Sequence, residues 1–229
     1  MKYFNEIITV FECDSTMDLA KKLKNFFNPP FVLQSNIQRF GRGQYGRSWN
    51  SNFGGLYFTE VLSLEQILGF STFLSIPIIR VLKRYVNSVK VKWPNDIVVG
   101  RKKLGGILIE KSDYVYAGIG INVSNKVSEE FKKISARLSD FSEVNELHLF
   151  YEILDEEENL INEFLRNGFK NFVNEYNENL IFLNDEIELE SNNIYRGIVE
   201  GVGIYGELIL KTRDKVERIF SGTVLNFYE

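Results

Sequence analysis

The sequence predicts an α+β fold, a mixed and largely antiparallel sheet packed by helices and followed by a small C-terminal β-barrel. Three observations predict it. β-rich runs crowd between Val89 and Val123 with short polar or glycine links, which favours an antiparallel meander. Apolar residues recur at helical spacing before, between and after these runs. From about Leu180 the texture changes to short β runs separated by glycines, the pattern of a small barrel. A main unit over residues 1–180 and a small β unit over residues 181–229 are therefore expected, with no flexible linker between them. The 229 residues, 44% hydrophobic and 25% charged, are enough for one large core and exclude a disordered chain.

In chain order, Ile7 to Phe11 reads as a strand. Ser15 with Asp18 three residues later reads as a helix cap, and Leu19, Leu23, Phe26 and Phe27 share one face of the helix that follows. Pro29-Pro30 ends that helix before the strand Phe31 to Ser35. Gln38 to Trp49 has neither period and is a loop, and Leu56 to Leu62 is a strand. Phe70 to Tyr85 is a helix in which Pro77 marks a kink or a late start. Strands follow at Val89 to Trp93, Ile97 to Val99, Leu104 to Glu110 and Tyr114 to Val123. A long helix between Asn145 and Arg166 ends at Gly168, and another covers Phe169 to Asn179. The small unit takes its strands from Glu186 to Leu189, Tyr195 to Val199, Glu207 to Lys211 and Val216 to Phe220.

Charge and residue counts narrow the chemistry. A net charge of −4 gives no overall footprint for nucleic acid. Locally the picture differs: Leu19 to Thr59 holds no Asp or Glu but contains Lys21, Lys22, Lys24, Arg39, Arg42 and Arg47, so an anion is expected to dock there. The three lysines belong to a helix and are expected to be solvated. A single Cys13 excludes an internal disulfide and a thiolate zinc site, and a lone His148 excludes a histidine metal cluster or a serine-type triad. No apolar run is long enough to span a membrane and the first residues lack a signal peptide's apolar region, so a cytoplasmic protein is expected. Cys13 reads as an apolar filler, His148 as a helix-surface residue and Asp155 to Glu158 as a solvated face.

Three segments are unusual. Gly41, Gly43 and Gly46 spell G-x-G-x-x-G, but no helix follows and no βαβ alternation surrounds them, so the dinucleotide reading fails. What remains is either a mobile surface loop or a loop whose Arg42 and Arg47 grip an anion while Trp49 stacks on a flat ring. Lys92-Trp93-Pro94-Asn95-Asp96 runs from a strand into a turn. Strict alternation sets Lys90 and Lys92 opposite Val89, Val91 and Trp93, so Lys92 points to solvent, the default, or into a cleft. Finally, Leu104 to Glu110 and Gly118 to Val123 are glycine-bearing strands, which suggest a bulge or a ligand against the backbone, and Asn122 would be a buried amide needing partners.

Together and in this order, these segments resemble biotin protein ligases over nearly the whole chain. The resemblance rests on Asp14-Ser15-Thr16, on the G-R-G-[RQ]-x-G-R-x-W loop at Gly41 to Trp49, on K-W-P-N-D at Lys92 to Asp96, on the glycine strands and on Ser221-Gly222. It implies a class II synthetase-like catalytic domain with an SH3-like C-terminal barrel. The implied reaction uses biotin, ATP and Mg2+: biotin's carboxylate attacks the α-phosphate of ATP to give biotinyl-AMP. A lysine of a biotin carboxyl carrier domain, the implied partner, then takes the biotinyl group. By the same resemblance Lys92 and Arg42 are catalytic, and Ser15, Thr16, Gln38, Gly41, Arg42, Gly43, Gln44, Lys92 and Gly106 bind biotin. Arg42, Arg47, Trp49, Lys92 and Asn122 contact the adenylate; the metal ligands are not identified. Gln44 stands where many relatives carry Arg, so weaker retention of biotinyl-AMP is expected. The resemblance starts at the first residues, so no DNA-binding domain, DNA partner or membrane partner is expected, while a homodimer is compatible with it. The rival readings are a lipoate or octanoate ligase, for which Ser15, Thr16 and Gln38 have no ureido ring to bind, and a non-catalytic biotin sensor.

Overall fold

A computed structural model describes residues 3–65 and 67–228. Its main sheet has seven strands: β1 (Glu6–Cys13), β2 (Phe31–Gln38), β3 (Leu56–Leu62), β4 (Val89–Lys92), β5 (Asp96–Val99), β6 (Lys102–Lys111) and β7 (Val115–Ile121). Their order is β1-β2-β3-β7-β6-β5-β4, parallel between β1 and β2 and antiparallel elsewhere, so the expected meander from β4 to β7 is present.

Side-chain alternation divides the sheet. On β3, Leu56, Phe58 and Leu62 face a layer made by α2 (Phe70–Leu82) and α3 (Glu146–Asn167), while Val61 belongs to a second cluster under α1 (Thr16–Leu23). Helix α2 runs through Pro77 without a break. Nearly all its side chains are buried, and burial on that scale offsets the roughly 3 kcal/mol that an interior proline costs. Helix α3 starts where Asn145 accepts from the His148 N–H and ends at Gly168, whose φ of 66° suits glycine. Phe73 and Phe164 stack with centroids 4.5 Å apart and join the two helices.

Several local expectations change. Helix α1 stops at Leu23, whose carbonyl takes the amides of both Phe26 and Phe27, and Phe26 is left exposed. Lys21 and Lys24 pair with Glu110 and Asp113, and Arg39 pairs with Glu12, so the acids missing from that stretch arrive from β1, from β6 and from the turn between β6 and β7. The segment after Gly168 is a 3-10 turn followed by a short α4 (Val173–Asn179). The C-terminal β unit is a five-stranded antiparallel sheet of β8 (Glu186–Glu190), β9 (Ile194–Val202), β10 (Leu208–Lys211), β11 (Val216–Ile219) and β12 (Thr223–Val224), in the order β11-β10-β9-β8-β12. The Trp93 indole N–H donates to the Gly206 carbonyl at 2.9 Å, tying this sheet to the end of β4.

Glu157 is not solvated: within the acidic run on α3 it is buried, and it meets Glu60 of β3 in the core. Burial raises both carboxyls, and the charge of Glu157 beside it raises Glu60 further. Such a pair supports the fold only while it holds its proton. Its contribution is complete below the ordinary carboxyl range and is lost as pH rises through the elevated folded values. Glu60→Gln keeps a donor without that proton, so the variant should gain about 1–2 kcal/mol over the parent at pH 8, roughly 2–8 °C in Tm, and little at pH 4. Thermal unfolding at the two pH values checks this; an equal difference at both would count against it.

Candidate active site

The face of the main sheet carrying α1 holds a cavity of about 480 Å³. Its floor is backbone. Gly106 of β6 pairs in register with Gly120 of β7, and a Cβ at Gly120 would lie 2.6 Å from the Trp49 indole. The glycine pair therefore lets the indole lie against the strands, and Lys103 Nζ sits 5.2 Å from its ring centroid. Two residues along β7, a Cβ at Gly118 would meet the Met17 sulfur at 2.9 Å. The cavity thus runs from Met17 to Trp49 and Lys103, roughly 7 Å measured along the strand.

At the Met17 end the polar groups are neutral. Ser15 caps α1, accepting from the Asp18 N–H at 3.4 Å, and keeps its hydroxyl proton available. Gln38 Oε1 accepts from the Thr16 N–H at 2.8 Å and the Thr16 hydroxyl at 3.0 Å, while its amide donates to Ser51 Oγ at 2.9 Å. Thr59 donates to Thr16 Oγ1 at 2.8 Å, so the set is locked from beneath. Ser51 and Thr59 carry no motif and were not expected from the sequence.

The other end is cationic. β4 and β5 form a hairpin in which Lys92 faces Asp96 directly, so both side chains share one face. Lys92 is buried, with Nζ donating to Asp96 Oδ2 at 3.2 Å, and Lys103 reaches Asp96 Oδ1 at 2.5 Å. The Tyr228 hydroxyl donates to Asp96 Oδ2 at 2.8 Å. Burial lowers the Lys92 ammonium; Asp96 opposes that, while Lys103 and Arg47 reinforce it. Burial alone would raise Asp96, but Lys103, Lys92 and the Tyr228 hydrogen bond outweigh it and hold the carboxyl below its ordinary value. One carboxylate thus serves two ammoniums, leaving a positive excess that an anion would neutralise.

The solvent default for Lys92 is therefore overturned: residues from the chain's far end cover that face, with the Tyr228 ring 5.0 Å from Nζ. Lys103 was missed. Strict alternation sets it opposite Gly106, but the register between β5 and β6 shifts at Ile97/Val98, and this bulge turns Lys103 onto the face of Gly106. Asp96, hidden in what reads as good turn chemistry, and Tyr228 were missed as well.

Gly43, Gln44, Arg47 and Trp49 line the cavity, and so does Arg42, whose guanidinium is held by Asp18 at 2.9 Å and Glu110 at 3.4 Å. Arg47 lies over the Tyr45 ring. Gly41 departs from expectation: it does not line the cavity but packs under the loop, where a Cβ would meet Ser51 Oγ at 2.5 Å and the Trp49 carbonyl at 2.6 Å. Asn122 is buried at the cavity wall and finds its partner, accepting from the Asn125 amide at 3.1 Å. Val127, Phe131 and Ile134 supply an apolar wall suited to a flat ring.

A family model described as the biotin/lipoate A/B protein ligase family matches residues 10–122. The chain is 37% identical over 108 residues to bifunctional ligase/repressor BirA of Escherichia coli, a match covering 42% of this chain and 34% of that protein. The chain thus spans about a third of that relative. With the BirA protein of Bacillus spizizenii it shares 25% identity over 229 residues, 92% of this chain and 70% of that protein. Among solved structures, biotin protein ligase from Aquifex aeolicus in complex with biotin and ATP superposes with a TM-score of 0.88 and 28% identity, covering 96% of this chain and 98% of that one.

Proposed function

We propose that the chain is a member of the biotin/lipoate A/B protein ligase family, that it activates biotin with ATP and that it transfers the biotinyl group to a lysine of a biotin carboxyl carrier domain. The observation that carries this reading is the polarity of the cavity. A neutral hydrogen-bonding end at Ser15, Thr16 and Gln38 suits a ureido ring, and the cationic end at Lys92 and Lys103 suits a carboxylate meeting a phosphate. Preorganised charge at such a meeting point is usually the largest catalytic contribution.

In this mechanism Lys92 and Lys103 hold biotin's carboxylate beside the α-phosphate. Arg42 exchanges Asp18 and Glu110 for the incoming anions, and Arg47 adds charge from the loop. Gly43, Gln44 and Gly106 line the biotin pocket. Trp49, Asn122 and the apolar wall contact the adenylate and exclude water from the mixed anhydride. The carrier lysine then attacks the acyl carbon and AMP leaves. The chain's own donors do not fit a magnesium cage: among the described residues no three His, Cys, Asp or Glu side chains converge, and Asp96 is committed to two ammoniums. Magnesium belongs to this reading as part of the MgATP substrate.

The same reading includes a cytoplasmic setting, a main unit over residues 1–180 with a small one over 181–229, no DNA partner, and a homodimer for light scattering to test. Among the described residues no helix is long and apolar enough to cross a membrane. Mass spectrometry of a carrier domain incubated with biotin, MgATP and the protein should show one added biotinyl group. Modification with lipoate instead would favour the rival ligase. Biotin binding without pyrophosphate exchange would favour a sensor.

A further inference from the structure

We propose that Tyr228 is a positioning residue of the active site, carried into it by the segment that follows β12. It lies 132 residues from Asp96 in sequence, yet its hydroxyl donates to Asp96 Oδ2 at 2.8 Å. Lys92 Nζ uses that same oxygen at 3.2 Å. The Tyr228 ring, 5.0 Å from Nζ, and the Phe227 ring, 5.3 Å away, form the cover that keeps Lys92 out of water. A carboxylate oxygen shared by an ammonium and a phenol has little freedom to rotate. Its other oxygen is held by Lys103 at 2.5 Å.

Tyr228 thus acts at two points. Its hydroxyl fixes the carboxylate that spaces the two lysines, and its ring fixes the Lys92 ammonium. Trp93 anchors the same small sheet through Gly206, and Gly222 and Thr223 also line the cavity, so the C-terminal segment forms a wall of the pocket rather than an appendage. What the pocket does rests on the ligase reading; the geometry does not.

Two variants separate the hydroxyl from the ring. Tyr228→Phe should lower kcat of biotin-dependent ATP–pyrophosphate exchange by about 5- to 50-fold, with KM for biotin and for ATP nearly unchanged and the unfolding temperature kept. Tyr228→Ala should also make Lys92 react several-fold faster in reductive methylation read by peptide mass spectrometry. Wild-type kcat in the Phe variant, or a loss confined to KM, overturns the proposal. So does Lys92 methylation at the parent's rate in the Ala variant. If the unaltered chain supports no exchange, the ligase reading fails, and the methylation rate of Lys92 alone decides for or against Tyr228.

Discussion

Lys92→Ala is expected to lower biotin-dependent ATP–pyrophosphate exchange by about 10²- to 10³-fold, the size of loss seen when a preorganised charge is removed from a transition state. The structure gives the reason in three parts. The ammonium is buried, its attraction to the reacting anions is little screened, and Lys103 is already committed to Asp96 and cannot occupy both places. The fold should survive, because Asp96 keeps Lys103 and the Tyr228 hydroxyl as partners. The loss should therefore appear in kcat with an unfolding temperature near that of the parent. Exchange within fivefold of the parent, measured with labelled pyrophosphate, would remove Lys92 from the proposed chemistry.

Asp96→Asn should act on stability as much as on activity. The substitution leaves Lys92 and Lys103 facing each other with no carboxylate between them. One uncompensated charge in such a place costs about 3–5 kcal/mol, and the partial exposure of Lys103 reduces this to about 2–4 kcal/mol. At this chain length that corresponds to a fall of roughly 4–16 °C in Tm. The pH dependence has a definite sign. In the parent, Asp96 titrates below its ordinary value, so its contribution is present above the normal aspartate range and disappears as pH falls through the depressed folded value. In the variant that acid limb is missing. Lys92, already lowered by burial and now without Asp96, gives up its proton more readily, so the variant recovers stability as pH rises. Urea unfolding at pH 6 and pH 9 should show the gap between variant and parent narrowing at the higher pH. A gap that widened would contradict this account.

Much of the site was legible along the chain because its pieces are local. The Ser15 cap, the glycine and arginine loop, and the K-W-P-N-D hairpin each bring their chemistry together within a few residues, where spacing decides what can meet. The strand glycines likewise signalled close approach, and Trp49 is what approaches them. Errors arose where one shifted residue or one distant segment decided the outcome. A single bulge places Lys103 in the cavity against strict alternation. The acidic run on α3 reads as solvated by charge alone, yet helical geometry turns Glu157 inward to Glu60, 97 positions away.

The stretch from Leu19 to Thr59 shows the same division. Its cations were countable from the sequence, but Asp18, Glu12, Glu110 and Asp113, which pair with them, lie outside it and reach it only when the sheet assembles. By itself, then, the sequence determined the class of fold, the order of its strands and helices as far as β11, and the loop and hairpin that carry the resemblance. Tertiary structure alone decided that Lys92 is buried, that Asp96 holds two lysines, and that Tyr228 closes over them. The reason is that local preferences act over a few residues, whereas burial and charge pairing depend on which distant surfaces the sheet register brings into contact.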